Sequence, residues 1–294
     1  MHVINNNNIK YACYNNIKII IFILLYDYKT MSSSSEVIHS ISDIKHCLYI
    51  NLESRPDRKT HIEEQITGIG LHPIRFNAIK LKNGRIGCSM SHLKCLQIAK
   101  QSNWPHVMIC EDDLKILNNA HFISHVNKFF SIHGQGDNSI KNKWNVLLLA
   151  GNNVPPYQKI DDTCIQVSHC QTTTGYIVKQ SYYDILINNI KIGVEHLMKT
   201  PDLHIVYAID KYWIKLQKQH TWYMLAPVVA VQREDYSDIE ERKTNYENIM
   251  KDLDKPHLVH QQQHIQQTHH NKASLLSTIP SLSSIPSMTM MLKK

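Results

Sequence analysis

Short apolar runs, each closed by polar or turn-forming residues, recur between about residues 44 and 242. Runs of that length read as buried strands, and the stretches between them carry apolar residues at helical spacing. Residues 47–52 form the first predicted strand. Ser54 then caps a helix with Pro56 in its first turn, which stops near Thr67 at Gly68-Ile69-Gly70. A short strand is predicted around residues 73–78. The next helix follows Gly84-Arg85-Ile86-Gly87, is capped by a serine, and puts Met90, Leu93, Leu96 and Ala99 on one face with Lys94 and Lys100 outward. Asn103-Trp104-Pro105 breaks it.

A central strand comes next, and Val107-Met108-Ile109-Cys110 runs straight into Glu111-Asp112-Asp113. Downstream the pattern predicts a helix over 119–130, a turn-rich loop over 134–143, and a strand over 145–150 ending in Gly151-Asn152-Asn153. Strands follow over 164–168 and 174–178, then a helix capped by Ser181 to about residue 190. A further helix runs to about residue 218, and late strands cover 222–225 and 228–232. Strands alternating with helices predict an α/β domain over residues 44–245.

The two ends differ from this middle. Asn5 to Asn8 is a homopolymer, and the apolar run over residues 19–26 is shorter than the roughly 20 residues that span a bilayer. Residues 1–43 are therefore read as an extension outside the fold, with a weak signal or membrane anchor as the alternative. Residues 246–294, with Gln/His and Ser/Pro stretches, read as a disordered low-complexity tail.

The chain has 294 residues, a net charge of +7 and a hydrophobic fraction of 43%. The positive charge suits an anionic ligand. The basic residues are scattered rather than clustered, which argues against nucleic-acid binding. The seven cysteines form no CxxC pair and no regular framework. They read as reduced, mostly buried thiols in a reducing, cytoplasmic compartment. No phosphate loop, HExxH or GxSxG is present, and nothing marks a nucleophilic serine or cysteine.

Candidate chemistry centres on the acidic triplet. Adjacent carboxylates repel one another and are costly to desolvate unless a cation neutralises them. Ligands of open α/β sheets sit beyond the carboxyl ends of strands. Glu111, Asp112 and Asp113 are thus a candidate site for a hard divalent cation and, through it, a phosphorylated substrate; a solvated acidic turn is the alternative. Arg55 and Arg58, at a strand-to-helix turn, suit an anion or surface ion pairs with Asp57 or Glu63. His92, expected in the first turn of its helix, reads more readily as a hydrogen-bonded structural residue than as a catalyst. Asp210 stands in apolar surroundings, either as a helix cap or as an acid with a perturbed environment.

Taken in order, these passages resemble glycosyltransferase family 25, which holds bacterial lipooligosaccharide glycosyltransferases and collagen galactosyltransferases. Tyr49-Ile50-Asn51-Leu52 with Arg55, Asp57 and Arg58 is similar to the family's "INL…R.DR". Gly87-Cys88-Ser89-Met90-Ser91-His92 is similar to its "GC..SH", and Met108 to Asp113 to its apolar strand with "EDD". Leu147 to Gly151 and Thr173 to Val178 resemble its later strands. The chain departs from the pattern where Lys211, not Glu, follows Asp210, and where Leu149-Ala150-Gly151 replaces "YLG".

The resemblance implies a GT-A-like nucleotide-sugar-binding fold, a mixed sheet flanked by helices. It also implies inverting transfer of a hexose, such as galactose or glucose, from a UDP-sugar donor to a hydroxyl of a glycan or protein acceptor. Asp112 and Asp113 would hold Mn²⁺ or Mg²⁺. Asn51, Arg55, Arg58, Ser91, His92 and Glu111 would bind the donor. Asp113 would act in catalysis through the metal, and Asp210 would be the base for the acceptor hydroxyl. A phosphoryl or nucleotidyl transferase using the same acids, and a non-catalytic nucleotide-sugar or glycan-binding module, are the alternative readings.

Overall fold

The computed structural model describes residues 37–134 and 143–256. Every element below belongs to the compact unit Met1–Leu253; of the second unit, Asp254–Lys294, only residues 254–256 are described. Residues 1–36 of the extension expected over 1–43, most of the loop expected over 134–143, and the Gln/His and Ser/Pro stretches lie outside the described residues.

In chain order the unit runs β1 (Cys47–Asn51), α1 (Pro56–Thr67), β2 (Pro73–Asn77), α2 (Gly84–Gln101), β3 (His106–Glu111), β4 (Leu114–Ile116) and α3 (Asn119–His133). It continues with β5 (Val146–Asn153), β6 (Tyr157–Lys159), β7 (Cys164–Val167), β8 (Cys170–Lys179) and α4 (Tyr183–Lys199). Three short helices follow, α5 (His204–Tyr207), α6 (Ile209–Tyr212) and α7 (Ile214–Gln219). The last elements are β9 (Trp222–Leu225), β10 (Ala230–Gln232), β11 (Asp235–Ser237), β12 (Arg242–Thr244) and α8 (Glu247–Lys251).

Eight strands make one mixed sheet in the order β2-β1-β3-β8-β5-β9-β7-β6. The first three are parallel, β8 is antiparallel to β3 and β5, and β9 is again parallel to β5. This is the expected α/β architecture with helices flanking a mixed sheet, consistent with a GT-A-like arrangement.

Alternation along the strands divides the core. Leu48, Ile50, Val107, Ile109, Val146 and Leu148 point to one side and pack with α2 and α4 residues such as Leu96, Ala99, Leu186 and Ile190. Cys47, Tyr49, Met108, Cys110, Leu147 and Leu149 point to the other and pack with Ile62 and Ile66 of α1 and with Phe122, Val126 and Phe129 of α3. Burial on both faces explains why these strands read as continuous apolar runs.

The order β2-β1-β3 also locates the site. The chain leaves β1 through α1 to β2 on one side, then crosses back through α2 to β3 on the other. The carboxyl ends of β1 and β3 therefore flank a topological switch point, where open α/β sheets bind ligands. Ile50 is in register with Glu111 there.

Several local expectations change. Arg55, not Ser54, occupies the N-cap of α1, because Pro56 takes the first helical position. α2 starts at Gly84, where the Asn83 side chain accepts from the N–H groups of Arg85 and Ile86, so no serine caps it. His92 consequently lies in the middle of that 18-residue helix rather than its first turn. α4 is capped by Tyr182 rather than Ser181 and runs to Lys199, well past residue 190. Asp210 is inside the first turn of α6, and Ala208 holds the N-cap. Packed structure also extends beyond 44–245: Ile38 and Ile41 are buried in the core, and α8 buries Met250.

Candidate active site

The acidic triplet leaves the end of β3 and divides. Glu111 points toward α2 and β8, whereas Asp112 and Asp113 point toward α1. In that direction Arg58 is the partner. Its Nη1 donates to Asp112 Oδ1 at 2.7 Å, its Nη2 to Asp113 Oδ2 at 3.4 Å, and its Nε to Asp235 Oδ2 at 3.1 Å. Asn51, at the end of β1, donates from Nδ2 to Asp112 Oδ2 at 2.7 Å, and Gln232 of β10 donates to Asp113 Oδ2 at 3.0 Å. Asn51 is itself held by Arg75 of β2, whose Nε donates to its Oδ1 at 3.0 Å. The proline at the start of α1 matters here: it turns the chain so that Arg58, on the helix's first turn, faces the strand ends.

Arg55 takes no part in the Asp112–Asp113 pairing. Its guanidinium spans Asp57, Asp235 at 3.2 Å and Asp238 at 2.6 Å, and so ties the β1–α1 turn to the β11 hairpin. The two arginines share Asp235, which closes the network.

Glu111, half-buried, is ringed by hydrogen-bond donors. Its Oε1 accepts from Thr173 Oγ1 at 2.6 Å, from His92 Nε2 at 3.1 Å and from Cys88 Sγ at 3.3 Å. Tyr176 lies on the other side of the His92 ring, with its hydroxyl 3.0 Å from Nδ1. His92 thus orients Glu111 and is itself fixed by β8, in line with a hydrogen-bonded structural residue. Ser91 does not face the carboxylates: its Oγ donates to Gly87 O at 2.8 Å and accepts from Ile79 N–H at 2.9 Å. A Cβ at Gly87 would meet Ile79 O at 2.3 Å, so α2 approaches residues 79–81 through glycine and grips them through Ser91.

Burial pushes Asp113 up to about 8, with the Glu111 charge adding to the shift and Arg58 opposing it. Burial raises Asp112 as well, against the pull of Arg58 and Asn51. Burial acts on Glu111 in the same sense, but the bonds from His92 and Thr173 outweigh it and hold Glu111 down at about 2. One guanidinium therefore leaves negative charge in excess beside Asp113, and Asp113 Oδ1 is buried with no hydrogen-bond partner. An unsatisfied buried carboxylate oxygen in an electron-rich oxygen cluster fits a hard divalent cation.

Arg58, Ser91, the acidic triplet and Gln232 line one cleft of about 730 Å³, whereas Asn51, Arg55 and His92 stand behind its wall. Its walls include Lys80 and Lys82 from the β2–α2 connection, Arg85 from the first turn of α2, Thr172 and Thr173 from β8, and Asp210 and Lys211 from α6. Asp210 faces the same cleft as the triplet. Its Oδ2 accepts from Thr172 N–H at 3.3 Å and lies 3.3 Å from Lys211 Nζ. Sequence reasoning overlooked Arg75, Thr173, Gln232 and the bridging role of Asp235. Only Asp235, in a polar run closing the domain, carried a visible signal.

Residues 80–198 match the model of glycosyltransferase family 25 (LPS biosynthesis protein). That span holds the Gly87–His92 helix, the acidic triplet and β8. Asn51, Arg55, Arg58 and Asp210 lie outside it. No curated protein matches the chain. A solved glycosyltransferase involved in the glycosylation of the major capsid of PBCV-1 is similar at 14% identity over 64% of this chain and 92% of that one. Its TM-score is 0.37. Over residues 80–198, then, the chain matches glycosyltransferase family 25, and it is a glycosyltransferase.

Proposed function

We propose that this glycosyltransferase moves a hexose from a UDP-sugar to a hydroxyl on a glycan or protein acceptor, with inversion at the anomeric carbon. The observation that carries this reading is the cleft at the β1/β3 switch point. It places an under-neutralised carboxylate pair, a row of basic residues and a separate acid on one surface. Asp112 and Asp113 would hold Mn²⁺ or Mg²⁺, which when bound supplies positive charge for a leaving diphosphate.

The chain's own residues do the rest. Arg58 keeps Asp112 and Asp113 turned toward the cleft and limits their mutual repulsion. Asn51 and Gln232 fix one oxygen on each. Lys80, Lys82 and Arg85 supply cationic groups for an anionic donor. Arg55, turned to Asp57, Asp235 and Asp238, acts on the donor only by positioning the β11 hairpin. Glu111 lines the cleft, and His92 holds it from behind. Asp210 is the proposed base. The Thr172 N–H and the Lys211 ammonium orient its carboxylate to accept the proton of an attacking hydroxyl. A single base with no covalent intermediate is what inversion requires. A reducing, cytoplasmic setting is part of the proposal, since none of the six cysteines among the described residues stands in a disulfide.

The test is UDP release from a panel of UDP-sugars by the full chain, with Mn²⁺ and then with EDTA, beside Asp113→Ala. Metal-dependent release from one donor, lost in the variant, supports the proposal and names the sugar. Failure of every donor to bind in the presence of Mn²⁺ sinks it. Binding without turnover under any acceptor condition identifies a binding module instead.

A further inference from the structure

A second constellation lies away from the cleft. His133 ends α3, Asp161 sits in the turn between β6 and β7, and Cys164 opens β7. None of the three lines the cleft. Their ligand atoms all fall within 4.8 Å of one another. His133 Nε2 is 2.7 Å from Asp161 Oδ2 and 3.8 Å from Cys164 Sγ, and Sγ is 4.0 Å from Asp161 Oδ1. A sulfur and a carboxylate thus converge on one ring nitrogen, whose single hydrogen can serve only one of them.

We infer that His133, Asp161 and Cys164 form a binding site for a borderline-soft divalent cation of the Zn²⁺ type, closed on three sides and separate from the proposed catalytic metal.

The donor set favours this class of ion. Imidazole, thiolate and carboxylate are the protein ligands of zinc, with bonds of about 2.0–2.3 Å. Those bond lengths place tetrahedral ligands roughly 3.3–3.8 Å apart. The sulfur–nitrogen separation of 3.8 Å is at the edge of that range, and the nitrogen–oxygen pair needs only to open. Asp161 can supply that movement, because its side chain is 28% exposed while His133 is 5% exposed. The same exposed edge gives a water access to a fourth position.

The charges also balance. On binding, the Cys164 thiol gives its proton to solvent. His133 would ligate through Nε2 as an uncharged imidazole with its hydrogen on Nδ1, and Asp161 would bring one negative charge. A dication bound by one thiolate and one carboxylate is neutral, as a largely buried site needs. The carboxylate is already oriented: Thr163 donates to Asp161 Oδ1 from its N–H at 2.7 Å and from its hydroxyl at 2.6 Å, which leaves Oδ2 aimed at His133. Metal-bound carboxylates are held by such outer hydrogen bonds. The thiolate excludes Mg²⁺ and Mn²⁺ as natural occupants, whereas the all-oxygen pair Asp112–Asp113 prefers them. Bound metal would pin the last turn of α3 to the β6–β7 hairpin.

The experiment is titration of the metal-stripped, reduced full chain with Co²⁺, followed by the thiolate-to-cobalt charge-transfer absorption. This band reports sulfur ligation only, so binding of cobalt by His264, His269 and His270 of the C-terminal segment does not contribute. We expect one equivalent of thiolate-bound cobalt in the wild type, displaced by Zn²⁺. The band should vanish in Cys164→Ser and persist in Cys88→Ser, which removes the thiol near Glu111. His133→Gln, checked for folding by circular dichroism, should weaken cobalt binding by at least about tenfold. No charge-transfer band in the wild type overturns the proposal. So does a band that survives Cys164→Ser, or an affinity unchanged in folded His133→Gln.

Discussion

Replacing Arg58 with methionine keeps most of the side chain's bulk and removes the guanidinium that touches Asp112, Asp113 and Asp235. The side chain is 11% exposed, and its two aspartate partners in the triplet are 7% and 6% exposed. Breaking a buried pair by removing one partner costs about 3–5 kcal/mol, because the remaining charge is stranded. In a domain of this size each kcal/mol lowers Tm by about 2–4 °C, so the variant should melt roughly 6–20 °C below the wild type. The cost depends on ionisation. Burial already raises Asp113 to about 8, so at acidic pH its carboxyl is protonated and needs the arginine less. The deficit should therefore be larger at about pH 9 than at about pH 6, a slope set by the proton the group no longer carries. Saturating Mn²⁺ should restore part of the loss, by about 2.7 kcal/mol at a hundredfold excess over Kd. Thermal denaturation at both pH values, with and without Mn²⁺, reads all three effects. A variant within about 2 °C of wild type at about pH 9 without metal would refute the reasoning. The carboxylates would then not depend on Arg58 for neutralisation.

Three further outcomes follow from the geometry. Asp210→Asn should lower kcat by about 10²–10⁴-fold with donor KM little changed, measured by UDP release with a working acceptor, because the proposed base acts on the acceptor. Binding of Mn²⁺ should strengthen as pH rises to about 8 and level off above it, since Asp113 is raised to about 8 and must lose its proton to bind a cation; calorimetry in buffers of different ionisation heat should show proton release at neutral pH, and a flat pH profile would contradict it. Gly87→Ala should destabilise by about 1–3 kcal/mol in chemical denaturation, because the new methyl group would sit 2.3 Å from the backbone oxygen of Ile79.

The apolar pattern determined most of the architecture by itself. Runs such as Leu48-Tyr49-Ile50 and Val107-Met108-Ile109 are buried on both faces, so neither composition nor alternation leaves them another place than the middle of a sheet. The same holds for the acids at the end of β3: three carboxylates after a buried strand must emerge at one strand end. Helix starts were less legible. Ser54, Ser181 and Asp210 are all good caps by type, yet Arg55, Tyr182 and Ala208 hold those positions, because a neighbouring proline or preceding turn sets where helical dihedrals begin. Only the tertiary structure decided what the acids do. Glu111, the last residue of β3, turns to His92 and Thr173, whereas Asp112 and Asp113, in the turn that follows, both turn to Arg58. Arg55 and Arg58 look equivalent in sequence, but one helical turn separates an arginine facing the β11 hairpin from one buried against the triplet. Gln232 and Asp235 reach the site from far along the chain. His133, Asp161 and Cys164 meet across 31 positions of sequence. No local pattern records such encounters, since they depend on how distant strands and helices pack.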